Sequence, residues 1–212
     1  MNRKTLVMAA MMGFILAALV IAIGCSSGLD PAKTMVQSAR ADSPAAHVRW
    51  DIQSLDTSTT PNTSNPGGVA DALFPAALKI TFTGSGTFVA PASGGTSNAV
   101  TGGGTWQTFT SGVSTGSGTY RVVSLVSWQF DTFQTGTFID NIDEGTRANG
   151  NAELRIEYSD SSEGVLTVGC HGPGADPGIF EGVTATKAFV TYWTPAAPTA
   201  GVDRNRTVFH VR

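Results

Sequence analysis

A short motif, glycine-threonine-aromatic, recurs four times in the middle of the chain and restricts that region to β structure. Glycine permits a turn or a close approach of two backbones, threonine favours the extended backbone, and the aromatic residue begins a buried face. The intervals of 18, 14 and 18 residues are too irregular for a solenoid or a propeller blade. The motif therefore predicts successive strands of an antiparallel meander, whether it reflects convergent use of glycine and threonine or a duplicated hairpin. The copies lie at 86–88, 104–106, 118–120 and 136–138.

Together with the strands that carry this motif, alternation of apolar and polar residues predicts about nine strands in the domain. The clearest alternation spans 152–158, and a turn at 159–164 joins it to 165–170 as a predicted hairpin. His-Val-Arg occurs at 47–49, in the first strand (47–53), and at 210–212, at the end of the last strand (206–211). This suggests that the two strands pair and close the sheet.

Three other segments carry specific expectations. Residues 119–130 predict a long central strand covered on both faces, with Val126 and Phe130 on the same side as Tyr120. Gly84 and Gly86 predict a bend or bulge of the kind found at a barrel corner. Residues 69–77 predict one helical turn.

Taken together, these patterns predict an all-β fold. We expect a single antiparallel, meander-like domain, a small β-barrel in preference to a β-sandwich, after an N-terminal signal or anchor helix. The glycine-threonine-aromatic rhythm, with Phe-Glu-Gly-Val-Thr at 180–184, is similar in texture to the small eight-stranded barrels of the dirigent and allene oxide cyclase type. That similarity carries no functional residue across.

The N-terminus has the marks of an export signal. Arg3 and Lys4 precede an unbroken apolar run over 6–23, and Gly24-Cys25 follows. This ending resembles a bacterial lipoprotein precursor with its lipobox, although Ala22 stands where that family most often has leucine. The resemblance implies cleavage before Cys25 and lipidation of that cysteine.

Two alternatives to lipidation remain open. The apolar run approaches the ~20 residues that a membrane helix needs, so it could stay as an uncleaved anchor. Cleavage after 39–41 would instead release a soluble protein. We expect a signal peptide at 1–24, a flexible tether at 25–44 and the all-β domain at 45–212. Each alternative places that domain outside the cytoplasm, and the lipoprotein reading anchors it in the bacterial cell envelope.

Composition limits the chemistry that the chain can perform. Its formal net charge of −3 argues against nucleic acid, which calls for a clustered basic patch. Arg204, Arg206 and Arg212 gather near the C-terminus, where we interpret them as a solvated strand face. Cys25 and Cys170 are the only cysteines, and with three scattered histidines they provide no zinc or haem spacing. We expect no cofactor.

One loop contains the best candidates for catalysis. Cys170-His171 opens a segment fixed by two prolines and three glycines, with Asp176 inside it and Glu181 after it. Such a loop could hold His171 as a general base, with Asp176 orienting its ring. A thiol mechanism would need an exposed Cys170 of lowered pKa, but its phase with Leu166 and Val168 points it into the core.

Two weaker candidates concern metal and ligand binding. Asp140, Asp143 and Glu144 offer oxygen ligands for calcium, although Ile142 breaks the EF-hand spacing and a solvated acidic turn is the default. Tryptophans on a β face can line a pocket for an apolar or carbohydrate ligand, although they more often form the core. These tryptophans are Trp106, Trp128 and Trp193.

Three functional hypotheses follow. The first is a non-enzymatic, envelope-anchored domain that binds a small ligand or an envelope protein, or that has a structural role. The second is a small-barrel enzyme of the cyclase, isomerase or hydrolase type with its site near His171. The third is a calcium-stabilised adhesion module.

Overall fold

The computed structural model describes residues 45–75, 77–91, 95–198 and 203–212, and within them the chain is all-β, with no helix. The predicted signal peptide at 1–24 and tether at 25–44 lie outside the described residues. Fourteen strands are present, more than the nine expected, because several connections contain short strands of their own. They are β1 (Ala46–Asp56), β2 (Thr63–Pro66), β3 (Ala70–Phe74), β4 (Leu78–Phe82), β5 (Ser85–Ala90), β6 (Val100–Thr110), β7 (Val113–Phe133), β8 (Ile139–Asp140), β9 (Thr146–Tyr158), β10 (Glu163–Cys170), β11 (Gly182–Lys187), β12 (Val190–Tyr192), β13 (Thr194–Pro195) and β14 (Arg206–Val211).

Six of these strands close into an antiparallel barrel. The order around it is β1, β5, β6, β7, β9 and β14, and each strand pairs with the next. The ring closes where β14 returns to β1, with Val48 opposite Val211. The all-β barrel and the pairing of the first strand with the last, both predicted from the sequence, are confirmed.

Further strands extend the sheet on both sides of the barrel. β4, β3 and β13 continue from β6, and β10, β11 and β12 continue from β9 as a meander that includes the predicted hairpin. β4 and β5 follow each other along β6, and Gly84 between them has a φ of +146°. A Cβ there would lie 2.5 Å from the carbonyl oxygen of Gly103, so only glycine allows this close approach to β6. The register on β6 is the same before and after Gly84, with Phe82 opposite Trp106 and Ser85 opposite Gly103, so no bulge is present, and the bend stays a prediction.

The core is formed by the inward faces of the barrel and its extensions. Trp128 packs edge-on between Phe88 and Phe209, at centroid distances of 5.4 and 4.6 Å. Gly150 leaves room for this indole, since a Cβ there would lie 2.9 Å from its Cη2. A second aromatic group, in which Tyr120 and Tyr158 both pack on Phe82, fills the region towards β4. The repeated motif thus contributes its buried aromatic side chains to the core.

The long strand β7 departs from its predicted alternation. Register shifts after Val122, Leu125 and Phe130 add residues to the strand, and each shift changes which residues face inward. Leu125 is buried as a result, whereas Val126 and Phe130 are exposed. The prediction of a strand covered on both faces was therefore wrong.

One more local expectation requires correction. Residues 70–74 form β3, not a helical turn, because they pair with β4 and bury Ala70 and Ala72. Tertiary pairing overrides the weak local preference of this short segment.

No helix among the described residues is long and apolar enough to cross a membrane.

Candidate functional site

The barrel wall contains one place where neighbouring strands diverge. β9 pairs with β14 over Thr146–Ala148 and then changes partner to β10, beginning at Gly150. β14 and β10 separate from this point onward. We call the region the fork. Strands that diverge leave backbone groups without ladder partners, and such groups are costly to bury unless something else bonds them.

Side chains supply the missing partners at the fork. The carboxylate of Glu181 accepts two backbone hydrogen bonds, from the N–H of Thr207 (2.9 Å) and the N–H of His171 (2.7 Å). The amide of Gln53 donates to the carbonyl oxygen of Thr207 over 2.7 Å. The Thr207 hydroxyl donates to the carbonyl oxygen of Gly169. Glu181, singled out in the sequence, therefore joins β14 to the end of β10.

A second layer covers the outside of the barrel next to the fork. β2 and β8 pair in parallel, and we call these strands with their flanking residues, 57–62 and 134–145, the cover. Asp140 of the cover lies 2.7 Å from Nε2 of His210 and accepts a hydrogen bond of 3.1 Å from Arg147. Burial opposes ionisation of Asp140, but the His210 hydrogen bond and the charges of His210 and Arg147 hold its pKa below the ordinary value. A network of charged side chains thus attaches the cover to the barrel.

A cavity of about 390 Å³ lies between the cover and the fork. Its volume falls within the roughly 300–1,000 Å³ of small-ligand pockets. Apolar surface comes from Leu55, Phe138 and Pro173. The charged and amide side chains in its wall are Gln53, Asn62, Gln134, Arg147, His171, Glu181 and Arg206.

Burial changes the acid-base properties of two groups in this wall. It raises the pKa of Glu181 to about 7, against the effect of the two backbone hydrogen bonds and of the charges of Arg206 and His171. Burial also raises the pKa of the Cys170 thiol, whose sulfur lies in the core and donates to the carbonyl oxygen of Thr207 over 3.3 Å. The sulfur is therefore not an activated nucleophile, in agreement with the phase of its strand.

His171 lies at the mouth of the cavity with a fixed ring. Its Nδ1 is 2.7 Å from the carbonyl oxygen of Ile179, and since a carbonyl can only accept, Nδ1 carries the proton. Nε2 is then the acceptor of the neutral ring. Asp176, expected to orient this ring, lies elsewhere: its backbone N–H donates to Asp131 and its side chain is exposed. The fold brings together His171 and Glu181, without Asp176.

The acidic turn is used for ion pairs. Asp140 is engaged by His210 and Arg147, and Glu144 pairs with Arg49 and, at 3.6 Å, with Arg212. Asp143 is exposed. In the part of the chain that the structure describes, no three His, Cys, Asp or Glu side chains are grouped so that they could hold a metal ion.

The three tryptophans do not share a surface. Trp106 is buried and donates to the carbonyl oxygen of Thr119 over 3.1 Å. Trp128 is partly buried and packs against the barrel core, and Trp193 is exposed on the far extension, 5.6 Å from Phe74. Trp106 borders an open groove of about 680 Å³, but with only 6% of its surface accessible it offers no stacking face.

Sequence reasoning missed the cationic part of the cavity. Arg206 was interpreted as part of a solvated strand face, yet it lines the cavity, while its neighbour Arg204 pairs with Asp71. Arg147 and Gln134 carried no signal at all, because a polar residue at a strand end has no distinctive pattern. No protein-family profile, curated protein sequence or solved structure matches the chain.

Proposed function

We propose that this protein is an envelope-anchored, extracytoplasmic β-barrel domain that binds a small molecule in the cavity between the fork and the cover, without transforming it. The observation that carries the proposal is the cavity itself. It is the place where amide, guanidinium and carboxylate groups converge on a concave surface that also has apolar patches.

The frame of the cavity favours binding because its side chains are held in place. Gln134 accepts from Nε of Arg147 over 3.0 Å and donates to the sulfur of Cys170 over 3.1 Å. The Arg147 guanidinium also lies 4.3 Å from the centroid of the Phe138 ring. Groups that are already ordered lose little conformational entropy when a ligand arrives, so more of the contact energy appears as affinity.

The test is native mass spectrometry of the full chain purified in detergent from its host. We expect a discrete added mass that denaturation removes. Thr57→Trp, which places a large ring in the cavity wall, should abolish the added mass. Thr110→Trp, at an exposed position outside that wall, should retain it. A bare chain mass with no change in either variant would contradict the proposal and favour a structural role or a protein partner.

The anchor is proposed from the sequence alone. Cys25 follows an apolar run and a small residue, and its lipidation would hold the domain at the membrane through the tether. We expect a fatty-acid probe to label the protein and Cys25→Ser to abolish the labelling and to move the protein out of the detergent phase. Equal labelling of Cys25→Ser would refute lipidation at this position.

A small-barrel enzyme is the second candidate, and the fixed ring of His171 favours it. An imidazole oriented through Nδ1 presents Nε2 as a base at the cavity mouth. This proposal predicts slow hydrolysis of a panel of small aryl esters. The activity should be lost in His171→Ala and retained in His47→Ala. Equal activity in the two variants, or none in the unaltered chain, would leave the non-enzymatic proposal.

A further inference from the structure

Among the charged side chains of the cavity, those that still have hydrogen bonds to offer are cationic donors. Several polar groups of the wall already form hydrogen bonds within the fork and the cover. These are the side chains of Glu181, Gln53 and Gln134 and the backbone of Thr207. Arg206, in contrast, forms no ion pair or side-chain hydrogen bond with the part of the chain that the structure describes. A guanidinium has five donors, so this one can still accept a bidentate partner.

Arg147 adds to the same donor set. Its Nε and Nη1 are bonded to Gln134 and Asp140, which leaves Nη2 without a partner among the described residues. The charge of Arg147 is already shared with Asp140, so its contribution is a fixed hydrogen bond and not a free charge. Arg206 is therefore the principal counter-charge that the cavity can offer.

From this arrangement we infer that the cavity binds a small organic anion, with its carboxylate on the guanidinium of Arg206 and its carbon body against Leu55, Phe138 and Pro173. This inference rests on the proposed binding function and specifies the chemistry of the ligand. The apolar patches favour an organic anion over an inorganic one, because an inorganic oxyanion gains nothing from burying them.

Glu181 should couple this binding to pH. It is faced by Arg206 from β14, by His171 and Cys170 from the end of β10, and by Arg147 from β9, with Asp140 of the cover beyond Arg147. An ionised Glu181 competes with an anion for Arg206, whereas a protonated Glu181 does not. Because burial raises the pKa of Glu181 to about 7, the anion should bind more tightly at pH 6 than at pH 8.

The experiment is isothermal titration of the full chain in detergent with acetate, succinate and citrate as probes. Inorganic phosphate and butanediamide, the neutral isostere of succinate, are the comparison ligands. Each is titrated at pH 6 and pH 8 into the unaltered chain, Arg206→Gln and Arg155→Gln. Arg155 is the matched control, since it is exposed on β9 away from the cavity and has no ion pair among the described residues.

We expect at least one organic anion to bind, with a dissociation constant that rises at least about tenfold in Arg206→Gln and is unchanged in Arg155→Gln. Binding should be several-fold tighter at pH 6, and butanediamide should bind at least about tenfold more weakly than succinate. Melting curves of the two variants show that each is folded at the temperature of titration.

Three outcomes would overturn the inference. Binding of phosphate but of no organic anion would make this an inorganic oxyanion site. If butanediamide bound as tightly as succinate, and both bound equally to Arg206→Gln, binding would not require a charged ligand. The anion inference would then fail, but the proposed binding function would stand. If none of the five ligands binds at millimolar concentration, the anion inference fails, and a bare chain mass in the native spectrum would then remove the binding function as well.

Discussion

The meander formed by β5, β6 and β7 and the fork are built in opposite ways. In the meander, β6 pairs with β7 from Gly103 to Thr110, so the backbone groups of the two strands bond each other. The inward side chains form the core. Its outward threonines bond mainly one another, as Thr83 does with Thr105 over 2.7 Å. At the fork the ladder ends, and buried polar side chains take over its hydrogen bonds.

This difference shows where a β-barrel can place a binding site. In this barrel the continuous part of the ladder encloses a packed core and leaves few polar groups that are fixed yet unused. Where strands separate, the gap between them opens a cavity. The side chains that bridge this gap are held in place by the hydrogen bonds they form across it. The glycine-threonine-aromatic repeat, the most visible pattern in the sequence, therefore builds the wall and the core, while the cavity belongs to residues without a pattern.

The largest effect that separates the two regions should come from removing a carboxylate. Asp140→Asn takes the negative charge from His210, which is fully buried, and from Arg147, and should lower the free energy of unfolding by about 3 kcal/mol. Asp160→Asn removes the exposed carboxylate that pairs with Lys187 at the hairpin between β9 and β10, where Asn can still be solvated, and should cost less than about 1 kcal/mol. Urea unfolding of both variants measures the difference, and similar costs would break the comparison.

Local patterns were enough to predict the fold, because a strand with one buried face shows its alternation within a few residues. The hairpin after Tyr158 follows from such a pattern. The phase of β7 does not, since the three register shifts depend on the partner strand. The cavity could be predicted only in part: loop composition identified His171 and Glu181, but not their partners. Gln53 and Thr207, which bond across the fork, are 154 residues apart in the chain.

A smaller effect, visible only as a function of pH, should come from Glu181. Its pKa rises from 4.5 in the unfolded chain to about 7 in the folded protein, so between these values the folded state binds the extra proton. Stability therefore falls as pH rises through this window and is constant above it. Glu181→Gln should flatten the profile, reducing the difference in unfolding free energy between pH 5 and pH 8 by about 2–3 kcal/mol.

The control for this profile is Glu153→Gln, since Glu153 is exposed on β9 and, among the described residues, accepts a hydrogen bond only from the Ser127 hydroxyl, over 3.0 Å. It should reproduce the pH dependence of the unaltered chain. Urea unfolding at pH 5, 6, 7 and 8 gives all three profiles. If Glu181→Gln kept the slope of the unaltered chain, the carboxyl would not be the group that titrates, and the description of the fork as held by a desolvated acid would be wrong.

The smallest effect comes from a single hydroxyl. Thr207→Val removes the donor to the carbonyl oxygen of Gly169 at a fully buried position and should cost about 1–2 kcal/mol, because that oxygen loses its partner across the gap. Thr87→Val makes the same change on the meander, where the hydroxyl bonds Thr101 over 2.8 Å at the surface, and should cost less than about 0.5 kcal/mol. Valine is as good a strand former as threonine, so backbone preference cancels between the two variants.

Urea unfolding at one pH is sufficient for the measurement. Equal losses of unfolding free energy in the two variants would mean that the core beneath the diverging strands holds them together. The polar side chains of the fork could then bind a ligand without also stabilising the fold.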